Sequence, residues 1–250
     1  MPEITAPWTA WPLGRGVQGV AHDDRGLVAL DKPCGVLSHP NAARDRSRAL
    51  LVADYSKQDE CFAFRDAAGL ARRAWLLHRL DSATSGVILL ATDEALARRT
   101  RAAFEGHAVA KLYLAIVFGR AAGLDADWRD RLTVDKSGGQ VRTRTGGAVE
   151  AIAHARCVAH IAHGEHPRAL LELAPRTGRS HQLRVQCAHR RLPIVGDQTY
   201  GDFKRNRSFA KATGHKRLFL HAARISLDLE GRRFEAEASA PEAFTTAMAE

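Results

Sequence analysis

Apolar residues along this 250-residue chain fall in short runs that favour strands over helices. Leu27-Val28-Ala29-Leu30 is one such run, halted by the turn-forming Asp31-Lys32-Pro33-Cys34-Gly35. Val87-Ile88-Leu89-Leu90-Ala91-Thr92 carries no charge, as a strand covered on both faces would. The next residues, Asp93 to Glu105, read as a helix. Acids open its first turn, Leu96, Thr100 and Phe104 share a face, and Gly106 stops it. From Lys111 to Gly119 the pattern alternates. Leu112, Leu114, Ile116 and Phe118 take one face; Lys111, Tyr113, Ala115 and Val117 take the other. Ala151–Ala159 and Arg168–Leu173 predict a hairpin around His160–Pro167, and Ser180 stands where it would cap a helix over His181–Arg191. Leu218–Leu229 and Arg232–Ala238 read as closing strands, whereas residues 41–60 are polar and weakly helical. Residues 1–19 are expected to be a loose N-terminal extension. Residues 20–250 are expected to form one α+β domain, because strands dominate and no repeat or linker divides the chain.

Composition narrows the setting. A 45% hydrophobic content is enough for a sizeable core. No apolar run approaches the length of a membrane span, and the start Met-Pro-Glu-Ile-Thr lacks the marks of a secretory signal. Cys34, Cys61, Cys157 and Cys187 form no Cys-x-x-Cys pair, which favours free thiols in a reducing compartment. The expected location is the cytoplasm. The net charge of +9 and the pI near 9.9 are uninformative by themselves, but the distribution of charge is not. Lys204, Arg205, Arg207, Lys211, Lys216 and Arg217 crowd the stretch from Phe203 to Leu218 with no acidic residue among them, and Arg98, Arg99 and Arg101 form a second cluster. Such patches suit a phosphate backbone, although charge alone fits a solvated surface equally well.

Two patterns are set aside. Gly14-Arg-Gly16-Val-Gln-Gly19 matches the dinucleotide fingerprint by letter, but prolines precede it and a charged turn follows, where a strand and a helix are required. His154, His160, His163 and His166 lack a carboxylate or thiol at ligand spacing, so surface or RNA-facing imidazoles are the expectation and a metal site the lesser reading.

The chemistry centres on His78-Arg79-Leu80-Asp81-Ser82-Ala83-Thr84-Ser85-Gly86. One carboxylate follows a basic pair on a turn of small residues, which lets a ligand approach closely. Four further segments join it: Asp31 to Pro40, Lys111 to Val117, Arg176-Thr177-Gly178-Arg179-Ser180-His181-Gln182-Leu183-Arg184, and Pro193 to Gly201. In order and spacing the five resemble the RluA family of RNA pseudouridine synthases, from about residue 20 to the C-terminus. That resemblance implies an α+β catalytic domain with a central, mixed, mostly antiparallel sheet flanked by helices and loops. It also implies isomerisation of uridine to pseudouridine in structured RNA without a cofactor or metal. By position it makes Asp81 the catalytic aspartate, Tyr113 the active-site tyrosine and Arg179 the aspartate's basic partner. Leu183 would line the uracil pocket and Arg79 would fill the space left by the extruded base. His78 and Thr84 join the substrate-binding group as neighbours of Asp81, and Lys204, Arg205 and Arg207 as phosphate contacts.

The segment Tyr200–Ser208, followed by Arg217–Ala222, is most similar to the short tRNA-modifying, TruC-like branch without an S4 domain, so tRNA is the expected partner, with rRNA the other choice. No membrane or obligate protein partner is expected. Gln186 stands where relatives usually place a histidine. Each residue taken singly has an ordinary reading as a turn, strand or core residue. Two other functions compete: a catalytically idle RNA-binding protein of the same fold, and an aspartate-nucleophile hydrolase. The second lacks a partner acid or a His-based dyad.

Overall fold

The computed structural model describes residues 6–137 and 140–249. In chain order the strands and helices begin with β1 (Gln18–His22), β2 (Leu27–Lys32), β3 (Asp54–Ser56), β4 (Cys61–Arg65), β5 (Ala71–Leu76), β6 (Ser85–Ala91) and α1 (Glu94–Glu105). They continue with β7 (Val109–Phe118), β8 (Asp125–Ser137), β9 (Gln140–Thr145), β10 (Val149–Ile161), β11 (Arg168–Pro175) and α2 (Gln182–His189). The last are α3 (Phe203–Thr213), β12 (Leu220–Leu229), β13 (Arg232–Glu237) and α4 (Glu242–Ala249). The content is α+β, and every strand pair below is antiparallel. The chain divides into two compact units, residues 1–109 with 222–239, and residues 110–221 with 240–250.

In the first unit β2 pairs with β1 and β6, β5 with β4 and β6, β4 with β3, and β12 with β13. The uncharged run predicted at 87–92 is β6, and all seven of its residues are buried, which is why it shows no alternation. Leu27, Ala29, Val87, Leu89, Leu96, Ile225, Leu227 and Phe234 belong to the core of this unit. Helix α1 starts where its sequence says it should, because the Asp93 carboxylate accepts the Leu96 amide at 2.8 Å and caps the first turn.

The extension expected to be loose is packed from Ala6 onward. The Trp8 ring lies edge-on to His22, the Trp11 ring edge-on to Phe64, and the Gly14 amide donates to the Leu50 carbonyl. The glycine fingerprint has its explanation here: a Cβ on Gly19 would fall 2.0 Å from the Trp8 ring, and a strand, not a helix, follows.

The second unit is a meander of long strands, with β7 on β11, β11 on β10, β10 on β8 and β8 on β9. The predicted hairpin of residues 151–173 is β10–β11, extended at both ends. The basic, Gly-rich stretch 138–147 falls largely on the β8–β9 hairpin, and residues 138–139 lie outside the described residues. Phe118, Phe209, Phe219 and Phe244 interlock edge to face, and His166, expected at the surface, is buried against Phe118 and Phe209.

Candidate active site

Asp81 occupies the turn between β5 and β6, and the preceding Asp31–Ser38 loop holds that turn from below. Lys32 is 0% exposed, and its ammonium donates to the carbonyls of Pro33 at 3.1 Å, Val36 at 2.8 Å and Ser82 at 3.2 Å. The Gly35 amide also donates to Ser82 O, at 2.7 Å. One residue before Asp81, the buried Ser38 hydroxyl accepts the Leu80 amide at 3.0 Å and donates to the Leu80 carbonyl at 2.7 Å. The Thr84 amide closes the turn on Asp81 O at 3.0 Å. Gly86, at φ +113°, ends it where a Cβ would meet Ala222 O at 2.2 Å, so no other residue fits. The backbone on both sides of Asp81 is thereby fixed, and its side chain is left half-buried.

The neighbours of Asp81 divide into two kinds. Arg79 is exposed. His78 and Thr84, expected to bind substrate, both pack inward in this structure. The His78 Nε2 accepts the Leu89 amide at 3.1 Å and its ring stacks 4.9 Å from Phe104, while Thr84 is buried beneath the turn.

In the second unit Tyr113 lies half-buried on β7, opposite Leu173 of β11. Two residues earlier on the same face, Lys111 reaches the Thr177 carbonyl at 3.4 Å, and burial pushes its ammonium down to about 8. The β11–α2 loop carries Arg179, which is exposed and donates from Nε to the Glu150 carbonyl at 3.2 Å. Ser180 does not cap α2. Its carbonyl accepts from the Thr143 hydroxyl, and the N-cap position is His181 in the left-handed region, at φ +54°. The Gln182 side chain instead ties the loop before α2 to β10. Its Oε1 accepts from Thr177 Oγ1 at 2.7 Å and from the Arg179 amide at 3.1 Å, and its Nε2 donates to Ile152 O at 3.0 Å. Leu183, the next residue, is buried.

The sequence reading missed a buried, two-pronged ion pair in this unit. Arg184 donates from Nε and Nη2 to the two oxygens of Asp197, both at 2.8 Å, with its guanidinium 5.1 Å from the centre of the Tyr200 ring. Asp197 Oδ1 also accepts the Thr199 and Tyr200 amides. Burial pushes the Asp197 carboxyl up, but Arg184 and the two amides outweigh it and hold it below the usual carboxylate range. The signal was available, since both residues fall inside motif segments. Gln186, the departure from the family pattern, is buried; it donates to Asp130 Oδ2 at 2.8 Å and accepts from Gln182, so it braces α2 on β8.

The expected phosphate contacts sit on α3, capped by Asp202. Lys204 and Arg207 are exposed. Arg205 turns inward, donating to Pro167 O at 3.0 Å with its guanidinium 4.4 Å from the Phe118 ring centre, and so leaves the surface patch. Among the described residues no three His, Cys, Asp or Glu side chains cluster as metal ligands. His154, for one, lies between the Asp125 and Asp127 carboxylates as a surface pair.

The chain matches the family model for RNA pseudouridylate synthase over residues 26–189. It is 34% identical over 217 residues to the tRNA pseudouridine synthase C of Yersinia pestis, covering 84% of this chain and 80% of that one. It is 35% identical to that of Salmonella typhi, covering 83% and 79%. Its fold resembles human RNA pseudouridylate synthase domain containing 1 (TM-score 0.68, 21% identity, 90% of this chain and 83% of that one). It also resembles human domain containing 4 (TM-score 0.66, 24% identity, 92% of each chain). The chain belongs to the RNA pseudouridylate synthase family. It is an isomerase that converts uridine to pseudouridine in RNA.

Proposed function

We propose that the RNA is tRNA, that the reaction runs on Asp81, and that it takes place in the cytoplasm, where the four thiols stay reduced. The observation that carries the assignment to Asp81 is the turn held by Lys32 and Ser38, where buried polar groups fix the backbone around one carboxylate. A fixed carboxylate can meet the sugar of an extruded uridine in one orientation. Its oxygen adds to C1′, or supports C1′, as the C1′–N1 bond breaks. The uracil then turns and C5 bonds to C1′, releasing the carboxylate oxygen where it had added; the proton lost from C5 is balanced by the one N1 gains. Atoms balance without water or a second acid, which is why one carboxylate suffices where glycoside hydrolysis uses two.

Arg179 serves as the carboxylate's cationic partner, Tyr113 as the ring against the uracil, Leu183 as the apolar wall and Arg79 as the side chain that occupies the vacated stack. The names of the relatives from Yersinia pestis and Salmonella typhi support tRNA over rRNA. The test is tritium release from C5-labelled uridine in tRNA and in rRNA. Wild-type protein should release tritium from tRNA, and Asp81→Asn should release none while still binding it. Equal release by both removes Asp81 from the reaction. Release from rRNA alone overturns the choice of RNA, and binding without release by either protein makes this chain an idle member of its family.

A further inference from the structure

The exposed face of α3 forms one wall of a cleft of about 690 Å³ that none of the residues assigned above to the reaction lines. Phe203, Arg207, Ala210 and Lys211 recur at helical spacing and all face it. Phe203 is 52% exposed, so its ring is accessible to a ligand in the cleft. The opposite wall is the Val195–Gln198 turn, and Lys216 closes one end beside His215. Asn206 fastens the two walls together: its Oδ1 accepts the Gly196 amide at 2.8 Å and its Nδ2 donates to Asp197 O at 2.9 Å. The cleft is therefore already formed, with its width set by a buried side chain. No acidic residue lines it.

We propose that this cleft binds an unpaired nucleotide of the RNA substrate other than the target uridine. The base lies against the Phe203 ring and the phosphate among Arg207, Lys211 and Lys216. An aromatic face beside clustered cations is what single-stranded nucleic acid requires, since every base has a stacking face and every link a charge. The volume suits a ligand of nucleotide size. A rigid duplex would meet the cations but leave the ring unused. The inference rests on the reading of RNA as substrate and deepens it.

The experiment measures binding of a fluorescent, unmodified tRNA transcript to the full chain across a salt series. Phe203→Ala should weaken binding about tenfold, as expected for loss of one base–aromatic stack. Phe203→Trp should restore it to within about twofold, because the larger ring still stacks. Lys211→Gln should lower the slope of log affinity against log salt by about 0.7, one phosphate contact to a single strand. Phe203→Ala binding as tightly as wild type overturns the inference while leaving the RNA reading intact, and so does Phe203→Trp binding as weakly as Phe203→Ala. Failure of the wild type to bind tRNA overturns both. Thermal melts of the variants keep the comparison to folded protein, and a change at the half-exposed position 203 should leave the melting point nearly unmoved.

Discussion

Asp197→Asn should destabilise this protein sharply although Asp197 lies outside the residues assigned to the reaction. The carboxylate is 1% exposed and its partner Arg184 is 9% exposed, so the pair has little water to fall back on. Asp197 accepts two bonds from Arg184 and two from the Thr199 and Tyr200 amides, between 2.8 and 3.0 Å. Asparagine keeps one carbonyl oxygen for the amides but removes the charge and the second oxygen that the guanidinium fork needs. Breaking a buried pair from one side costs about 3–5 kcal/mol, and the retained amide bonds put the loss near the lower figure. At roughly 2–4 °C per kcal/mol for a chain of this size, the melting point should drop by about 6–12 °C.

The sign with pH follows from the depressed carboxyl of Asp197. A carboxylate with a lowered folded-state pKa contributes its stability above its unfolded value, near about 4, and loses it as pH falls through the folded value. The gap between wild type and Asp197→Asn should thus be full at neutral pH and close only in acid. Denaturant unfolding at both ends of that range measures it. The double variant Arg184→Met, Asp197→Leu should lose less than the sum of the two single changes, since an apolar pair leaves no buried charge behind. A neutral-pH gap below about 1 kcal/mol, or strict additivity in the double variant, would refute the account.

Two further outcomes can be checked with the same protein. Lys32→Met removes the ammonium that ties Ser82 O to the Pro33–Val36 loop and should lower the rate of tritium release about a hundredfold, the scale of a 1 Å misplacement, with tRNA affinity little changed; an unaltered rate means the turn holds itself. Lys111 is held down at about 8 by burial, so the unfolded chain binds more protons between that value and about 10.4, and stability should rise with pH across the window. Lys111→Met should flatten the rise measured by denaturant unfolding on either side of pH 8, and an identical slope in both proteins would show that Lys111 is not its source.

The elements legible in the sequence were those whose side chains follow one rule. β6 is one unbroken uncharged run, α1 shows helical spacing behind its cap, and the β10–β11 hairpin is two apolar stretches around a polar turn. Helix α3 was hidden because its inward face mixes Arg205 and Asn206 with Phe209, so no apolar stripe stands out and the segment reads as a patch of charge. The short strands β3 to β5 are only partly buried, and β4 and β5 carry the exposed Arg65, Arg72 and Arg73. Ser180 was a reasonable cap by type, but Gln182 reaches back to the same loop from inside the helix and takes the Arg179 amide. Lys32 shows the limit most clearly. A lysine between an aspartate and a proline looks like a solvated turn charge, and only the fold reveals three carbonyls converging on it.

That contrast separates the two kinds of information the motif segments carry. Lys32, Ser38, Gln182, Arg184 and Asp197 are buried and bond to backbone or to one another. They lie in three of the five segments, and a residue closed off in this way reports how the chain folds, not what it does. Arg79 and Arg179 stay exposed, and Asp81 and Tyr113 half-exposed, within the five segments. Keeping them open needs the others to close, because a carboxylate on a mobile turn would meet a nucleoside in too many orientations to react in one. An idle relative could therefore keep every buried member of these segments and lose only the open ones. On the proposed reading, the four exposed or half-exposed side chains are what would separate this chain from such a relative.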